Sequence, residues 1–165
     1  MNLIVNDASA LIDLFKAGLL QSYSRLNYRL MLPDVVESEL QSLDGMDLRE
    51  LGFEVVDLDP HGVGQVKAIR DAYQHLSAAD SFSLVVAERH EGCILLTGDG
   101  GLRRVAQSRG VKVHGVLWLL DALYDADLLD AATIVAALEL FDDDITVRLP
   151  RAAVASYQQR YKALL

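Results

Sequence analysis

The chain has almost no cysteine, no long hydrophobic run and no excess of basic charge, and each shortage removes a class of protein. Cys93 is the single cysteine and lies in the apolar run Cys93-Ile94-Leu95-Leu96, so neither a disulfide framework nor a thiolate metal cluster can form. A reducing compartment, the cytoplasm, is expected. The N-terminus opens on an apolar run of about four residues with no basic region before it, and no apolar stretch approaches the roughly 20 residues that span a bilayer. A protein neither exported nor held in a membrane is expected. Histidines 61, 75, 90 and 114 are dispersed, with no metal-ligand spacing, and read as structural or exposed side chains. No repeat, linker or low-complexity segment interrupts the chain.

The formal net charge of −9 runs against the basic footprint that polyanion binding normally shows. The charge is unevenly placed, however. Asp142-Asp143-Asp144 ends an acidic stretch, and over residues 145–165 the only charged side chains are Arg148, Arg151, Arg160 and Lys162. A second basic group, Arg103, Arg104, Arg109 and Lys112, follows Asp99. Both groups fit solvated helix faces as well as contacts to a polyanion.

A chain of 165 residues that is 52% hydrophobic suits one domain with a continuous core. Residues 3–5 form a short β-branched run that stops at Asn6-Asp7, and residues 8–16 carry apolar side chains at helical spacing, with Gly18 where a helix would end. Further strands are predicted at 29–32, 53–58, 93–97 and 111–113. Helices are predicted from Pro33 through residue 43 and at 63–75, 77–90 and 102–108. From Gly115 the pattern is helical only, through residue 140, with a last helix from about Arg151. Apolar strands alternating with helices predict a doubly wound α/β domain, a parallel sheet covered on both faces. Residues 1–165 are read as one domain, with an α/β core over roughly 1–120 and a helical extension over 121–165.

Two strands end in an aspartate, Val5-Asn6-Asp7 and Leu96-Thr97-Gly98-Asp99, and open α/β sheets bind ligands beyond the carboxyl ends of their strands. Both carboxylates are therefore expected at one crevice, although Asp7 also fits a helix cap and Asp99 a Gly-rich turn. On a helix of roughly 100° per residue, Glu39 lies among Val35, Val36, Leu40 and Leu43, inside the apolar stripe. Glu37 projects to the opposite side as a solvated glutamate. A carboxylate on a buried face needs a metal or a basic partner to offset its desolvation, which makes Glu39 the candidate. Ser77 and Asp80 fit a capping box, and the helix that follows is nearly apolar all round, so capping and ligand binding are compatible at Asp80. Four acids with no histidine or cysteine beside them form an all-oxygen donor set. Such a set selects Mg²⁺ or Mn²⁺ and supports phosphodiester hydrolysis.

The segments Val5-Asn6-Asp7-Ala8-Ser9-Ala10-Leu11-Ile12, Leu32-Pro33-Asp34-Val35-Val36-Glu37-Ser38-Glu39-Leu40, Leu76-Ser77-Ala78-Ala79-Asp80 and Leu95-Leu96-Thr97-Gly98-Asp99-Gly100-Gly101-Leu102-Arg103 each carry one of these acids. In this order they resemble the PIN-domain family of metal-dependent nucleases, particularly small prokaryotic members that include VapC-like toxins. The resemblance covers roughly residues 1–120. It implies a PIN-like fold and an acidic quartet of Asp7, Glu39, Asp80 and Asp99, with Ser9 and Thr97 as polar supports. It also implies a Mg²⁺ or Mn²⁺ cofactor and endonucleolytic cleavage of RNA to leave a 5′-phosphate. Arg103 and Arg104 are candidates for contacting that RNA. For a toxin it implies a small antitoxin partner, and homodimers are common among such proteins. Two other readings stay open: a phosphatase with an aspartyl nucleophile, in which Ser9 stands where a second acid is usual, and a catalytically silent binding module on the same fold.

Overall fold

The structure, a computed structural model, describes residues 2–165, without the side chains of residues 43 and 44. Five strands, β1 (Leu3–Asn6), β2 (Arg29–Pro33), β3 (Glu54–Val56), β4 (Ile94–Leu96) and β5 (Lys112–His114), form one sheet in the order β3-β2-β1-β4-β5, every neighbouring pair parallel. The helices are α1 (Ala8–Lys16), α2 (Leu20–Ser24), α3 (Asp34–Asp44), α4 (Pro60–Ala72), α5 (Ala78–Glu88), α6 (Gly100–Ser108), α7 (Val116–Asp125), α8 (Ala131–Asp143) and α9 (Arg151–Lys162). Among the described residues, no helix is long and apolar enough to cross a membrane.

The pleat explains how continuous apolar runs serve a sheet covered on both faces. Successive side chains of a strand point to opposite faces. Ile4, Leu30, Leu32, Ile94 and Leu96 accordingly join one core with Leu11, Leu14, Val36, Leu40, Leu119 and Leu138. Leu3, Val5, Met31 and Leu95 join a second core with Ile69, Leu84, Val85, Leu102 and Val105. Helices α1, α3 and the C-terminal α7 to α9 therefore cover one face, and α4, α5 and α6 cover the other.

The expected doubly wound α/β sheet is present, and its topology marks where a candidate site is to be sought. Chain order reverses between β1 and β4, the switch point at which such sheets bind ligands beyond their strand ends. Asn6 closes β1 there. Its buried amide donates to the Ile4 and Met31 carbonyls at 3.2 and 3.1 Å and accepts the Tyr23 hydroxyl, fixing the exit of the chain into Asp7. Helix α2 was not foreseen. At five residues, with no capping side chain, it leaves too little periodicity to read.

Candidate active site

Asp7 follows β1 at the N-terminal cap position of α1, yet its side chain makes no cap hydrogen bond. Its carboxylate accepts instead from three hydroxyls on three different segments. Ser9 Oγ and Thr97 Oγ1 each donate to Oδ2 at 2.9 Å, and Ser83 Oγ donates to Oδ1 at 3.4 Å. Asp7 is only 2% exposed. Burial, followed by the charge of Asp80, raises its carboxyl to about 6, against the opposing pull of the hydroxyls. No lysine or arginine is among its partners. Its hydrogen-bond partners are these hydroxyls and the Ala8 backbone, none of which carries a positive charge.

Asp99 sits beyond β4 and does cap a helix, because its Oδ1 accepts from the Leu102 amide at 3.0 Å. Asp80 likewise forms the expected capping box with Ser77, its Oδ2 accepting the Ser77 amide at 3.1 Å. Both are half-buried, and capping occupies one carboxylate oxygen of each. Asp80 is raised by burial and then by the charge of Asp99, just as Asp7 is raised by Asp80. The three aspartates therefore form a chain of mutually repelling acids at the switch point.

Ser9 and Thr97, expected as polar supports, both lie against Asp7. Ser9 Oγ accepts the Gly98 amide at 2.8 Å, and Thr97 Oγ1 accepts the Asp99 amide at 3.0 Å, so one pair of hydroxyls ties the β4 turn to Asp7. Ser83 was not singled out as a site residue, although it lies one helical turn after Asp80, where the sequence shows a small polar residue on that same face. His75, dispersed in the sequence, reaches the rim of the cluster. A Cβ on Gly101 would lie 3.0 Å from the His75 ring and 3.1 Å from Asp99 Oδ1, so glycine is what lets these groups close up.

The helical phase of α3 requires a correction. Glu39 is exposed, whereas Glu37 is buried at 8% exposure and holds Arg49 in a fork, with Nε and Nη2 at 2.7 and 3.1 Å from its two oxygens. The core line of α3 runs through Val36 and Leu40, both fully buried, while Val35, on the Glu39 side, is only half-buried. The chain after α3 turns back and buries Met46 and Leu48 in the same core, which carries Arg49 over the Glu37 flank. The basic partner required by a buried glutamate exists, but it belongs to Glu37. The side chain of residue 43, also assigned to the stripe, lies outside the described residues. Glu39 makes no hydrogen bond or ion pair among the described residues, and the structure does not bring it into the aspartate cluster.

The profile of the DUF3368 family, described as a PIN domain, matches residues 3–162. The chain belongs to the PIN-domain family. The match extends well past residue 120, so α8 and α9, which the sequence resemblance left aside, lie within it. Among solved structures, the PilT N-terminus domain protein SSO1118 from the hyperthermophilic archaeon Sulfolobus solfataricus P2 is similar at 21% identity. Its TM-score is 0.53, over 73% of this chain and 92% of that one. No curated protein matches the chain. The PIN fold is a nuclease-type fold, and in this PIN domain Asp7, Asp80 and Asp99 gather at the carboxyl ends of β1 and β4 and the start of α5.

Among the described residues, no three histidine, cysteine or acidic side chains already close into a cage for a metal ion. The donor chemistry nevertheless fits a hard divalent cation. The three aspartates offer oxygen ligands, with the His75 ring at the rim; one is a buried carboxylate without a counter-charge, and Mg²⁺ normally keeps several of its waters instead of taking an all-protein shell. Beside the acids, Arg104 lines a cavity of 540 Å³ with Asp13, Asp99 and Arg148. Among the described residues, Arg103, Arg104 and Arg148 make no ion pair.

Proposed function

We propose that this PIN domain is a divalent-metal-dependent endoribonuclease that hydrolyses phosphodiester bonds at the Asp7–Asp80–Asp99 crevice. The observation that carries this reading is Asp7: fully enclosed, held by three hydroxyls, unneutralised, and repelled by the next acid in line. Mg²⁺ or Mn²⁺ held by these aspartates would neutralise charge on the phosphate and acidify water, and the family resemblance adds Glu39, which is exposed and outside the cluster. Ser9 and Thr97 orient Asp7 and shape the turn that presents Asp99. Asp80, with one oxygen free of the capping box and its carboxyl raised by burial, would take the proton of the attacking water. RNA as the polyanion follows the family resemblance, and the unpaired arginines at the rim supply positive charge for its phosphates.

The test is incubation of the purified protein with a mixed RNA pool in Mn²⁺, in Na⁺ alone and with a chelator. Internal cleavage leaving 5′-phosphates, dependent on Mn²⁺, is expected, and Asp99→Asn should reduce it at least about tenfold, since a metal ligand contributes several kcal/mol. Intact RNA, or full activity in Asp99→Asn, would overturn the proposal.

A further inference from the structure

We propose that the cavity bounded by the start of α6, by α7 and by the segment leading into α9 is a subsite for one unpaired nucleotide of the RNA strand beside the cleavage crevice. The assignment rests on the ribonuclease reading above and adds to it where the substrate lies and in what form it is taken. The cavity measures 400 Å³ and is lined by Asp99, Arg103, His114, Trp118, Arg148 and Tyr157 among others. That size falls within the roughly 300–1,000 Å³ of small-ligand sites and is too small for a base pair with its backbone.

The walls suit a flat, apolar-faced ring. His114 and Trp118 are stacked with centroids 4.2 Å apart and planes 8° from parallel, and Tyr28 meets Trp118 at 79°. Tyr157 is held by the Asp121 carboxylate at 3.1 Å and covered by the Arg160 guanidinium 4.5 Å from its ring centre. These aromatic groups are fixed by their neighbours before any ligand arrives, which lowers the ordering cost of binding. Bases of single-stranded RNA are recognised on such aromatic and guanidinium surfaces, whereas a duplex keeps its bases stacked inside.

The charge pattern points the same way. Arg29, Arg49, Arg89, Arg109 and Arg160 each pair with a carboxylate. Among the described residues Arg103 and Arg148 do not, nor do Arg25, Arg70, Arg104 and Arg151, and of these six only Arg103 and Arg148 line this cavity. Arg148 lines this cavity and also the 540 Å³ cavity on the Asp13 side, and the two cavities share Gly98, Asp99 and Gly100. A strand whose phosphate meets Asp99 thus has one arginine common to both flanking spaces. The segment Val147-Arg148-Leu149-Pro150, which carries no motif of its own, acquires a role as the far wall of the substrate path.

Trp118 is the only tryptophan, so intrinsic fluorescence reports on the cavity directly. The full chain carrying Asp7→Asn, to prevent cleavage, is titrated in Mn²⁺ with a labelled single-stranded RNA octamer, following both label anisotropy and tryptophan emission. Binding with a change in Trp118 emission is expected, and the same sequence as a duplex should leave the emission unchanged. Arg148→Ala should weaken binding by about tenfold, the loss of one charge-assisted contact. Arg151→Ala, which removes the same charge from outside the cavity, should weaken it less than about twofold. Binding without a change in emission, or equal losses in the two arginine variants, would overturn the subsite. If the emission change and the Arg148 dependence hold but the unsubstituted chain leaves RNA intact in Mn²⁺, the ribonuclease reading falls and the nucleotide site stands. If that chain cleaves RNA and the emission never changes, the subsite falls alone.

Discussion

Thr97 Oγ1 donates to Asp7 Oδ2 at 2.9 Å while accepting the Asp99 amide at 3.0 Å, so one hydroxyl joins the acids at the ends of β1 and β4. Thr97→Val keeps the β-branched shape but leaves the Asp99 amide without that acceptor and Asp7 without one donor. A stability loss of about 1–3 kcal/mol is expected, as for a buried hydrogen bond to a charged group, together with a clear fall in RNA cleavage. Denaturant unfolding and a cleavage assay on the same preparation check both. An unchanged variant would show that the bridge positions nothing.

Glu37 and Glu39 separate stability from chemistry. Glu37→Gln breaks the fork with Arg49 and should lower the melting temperature without altering cleavage, since this pair lies outside the aspartate cluster. Glu39→Gln, exposed and unpaired among the described residues, should leave melting unchanged and reduce cleavage, the role the family resemblance implies for it. Normal cleavage in Glu39→Gln would confine the site to the three aspartates.

What was legible in the sequence was local. The ends of β1 and β4 could be read because a short apolar run that breaks at an aspartate carries its own boundary, and Asp80 because the Ser77 capping box spans four residues. The face of α3 could not be read. The stripe Val35, Val36, Leu40 fits two phases about equally, and the choice is made by residues 46–51 folding back, a tertiary event with no helical period. The place of His75 and Arg148 beside Asp99 is hidden for the same reason, although the sequence does show Arg148 within a basic group. Each enters the crevice through the path of a loop, and no spacing relates either of them to Asp99.

The raised carboxyl of Asp7 has a definite sign in the pH dependence of folding. Unfolded, it titrates at its ordinary value of about 4; folded and free of metal, it titrates at about 6. The folded state therefore binds the extra proton in this interval. The stability this confers is complete below about pH 4 and is lost as pH rises through about 6, about 3 kcal/mol for a shift of this size. Asp13, also raised to about 6 by burial, contributes in the same window. Comparing the chain with Asp7→Asn isolates Asp7, because Asp13 is common to both. The Asp7→Asn protein should gain stability relative to the unsubstituted one between pH 4 and 7. Parallel curves would mean that Asp7 titrates normally.

The most direct measurement on the central claim, that Asp7, Asp80 and Asp99 form a divalent-cation site, is a set of thermal melts with and without Mn²⁺ for the unsubstituted chain and the Asp7→Asn/Asp99→Asn double variant. A cation that binds only the folded state stabilises it by about 2.7 kcal/mol at a hundredfold excess over Kd, a rise of several degrees for a chain of this length. The unsubstituted chain should show that rise with Mn²⁺ and not with Na⁺ at matched ionic strength, which removes simple screening as its cause. The double variant should lose most of the rise, while its metal-free form melts no lower than the unsubstituted chain because the acids no longer repel one another. An equal Mn²⁺ shift in both proteins would contradict the account, because the ion would then be bound elsewhere.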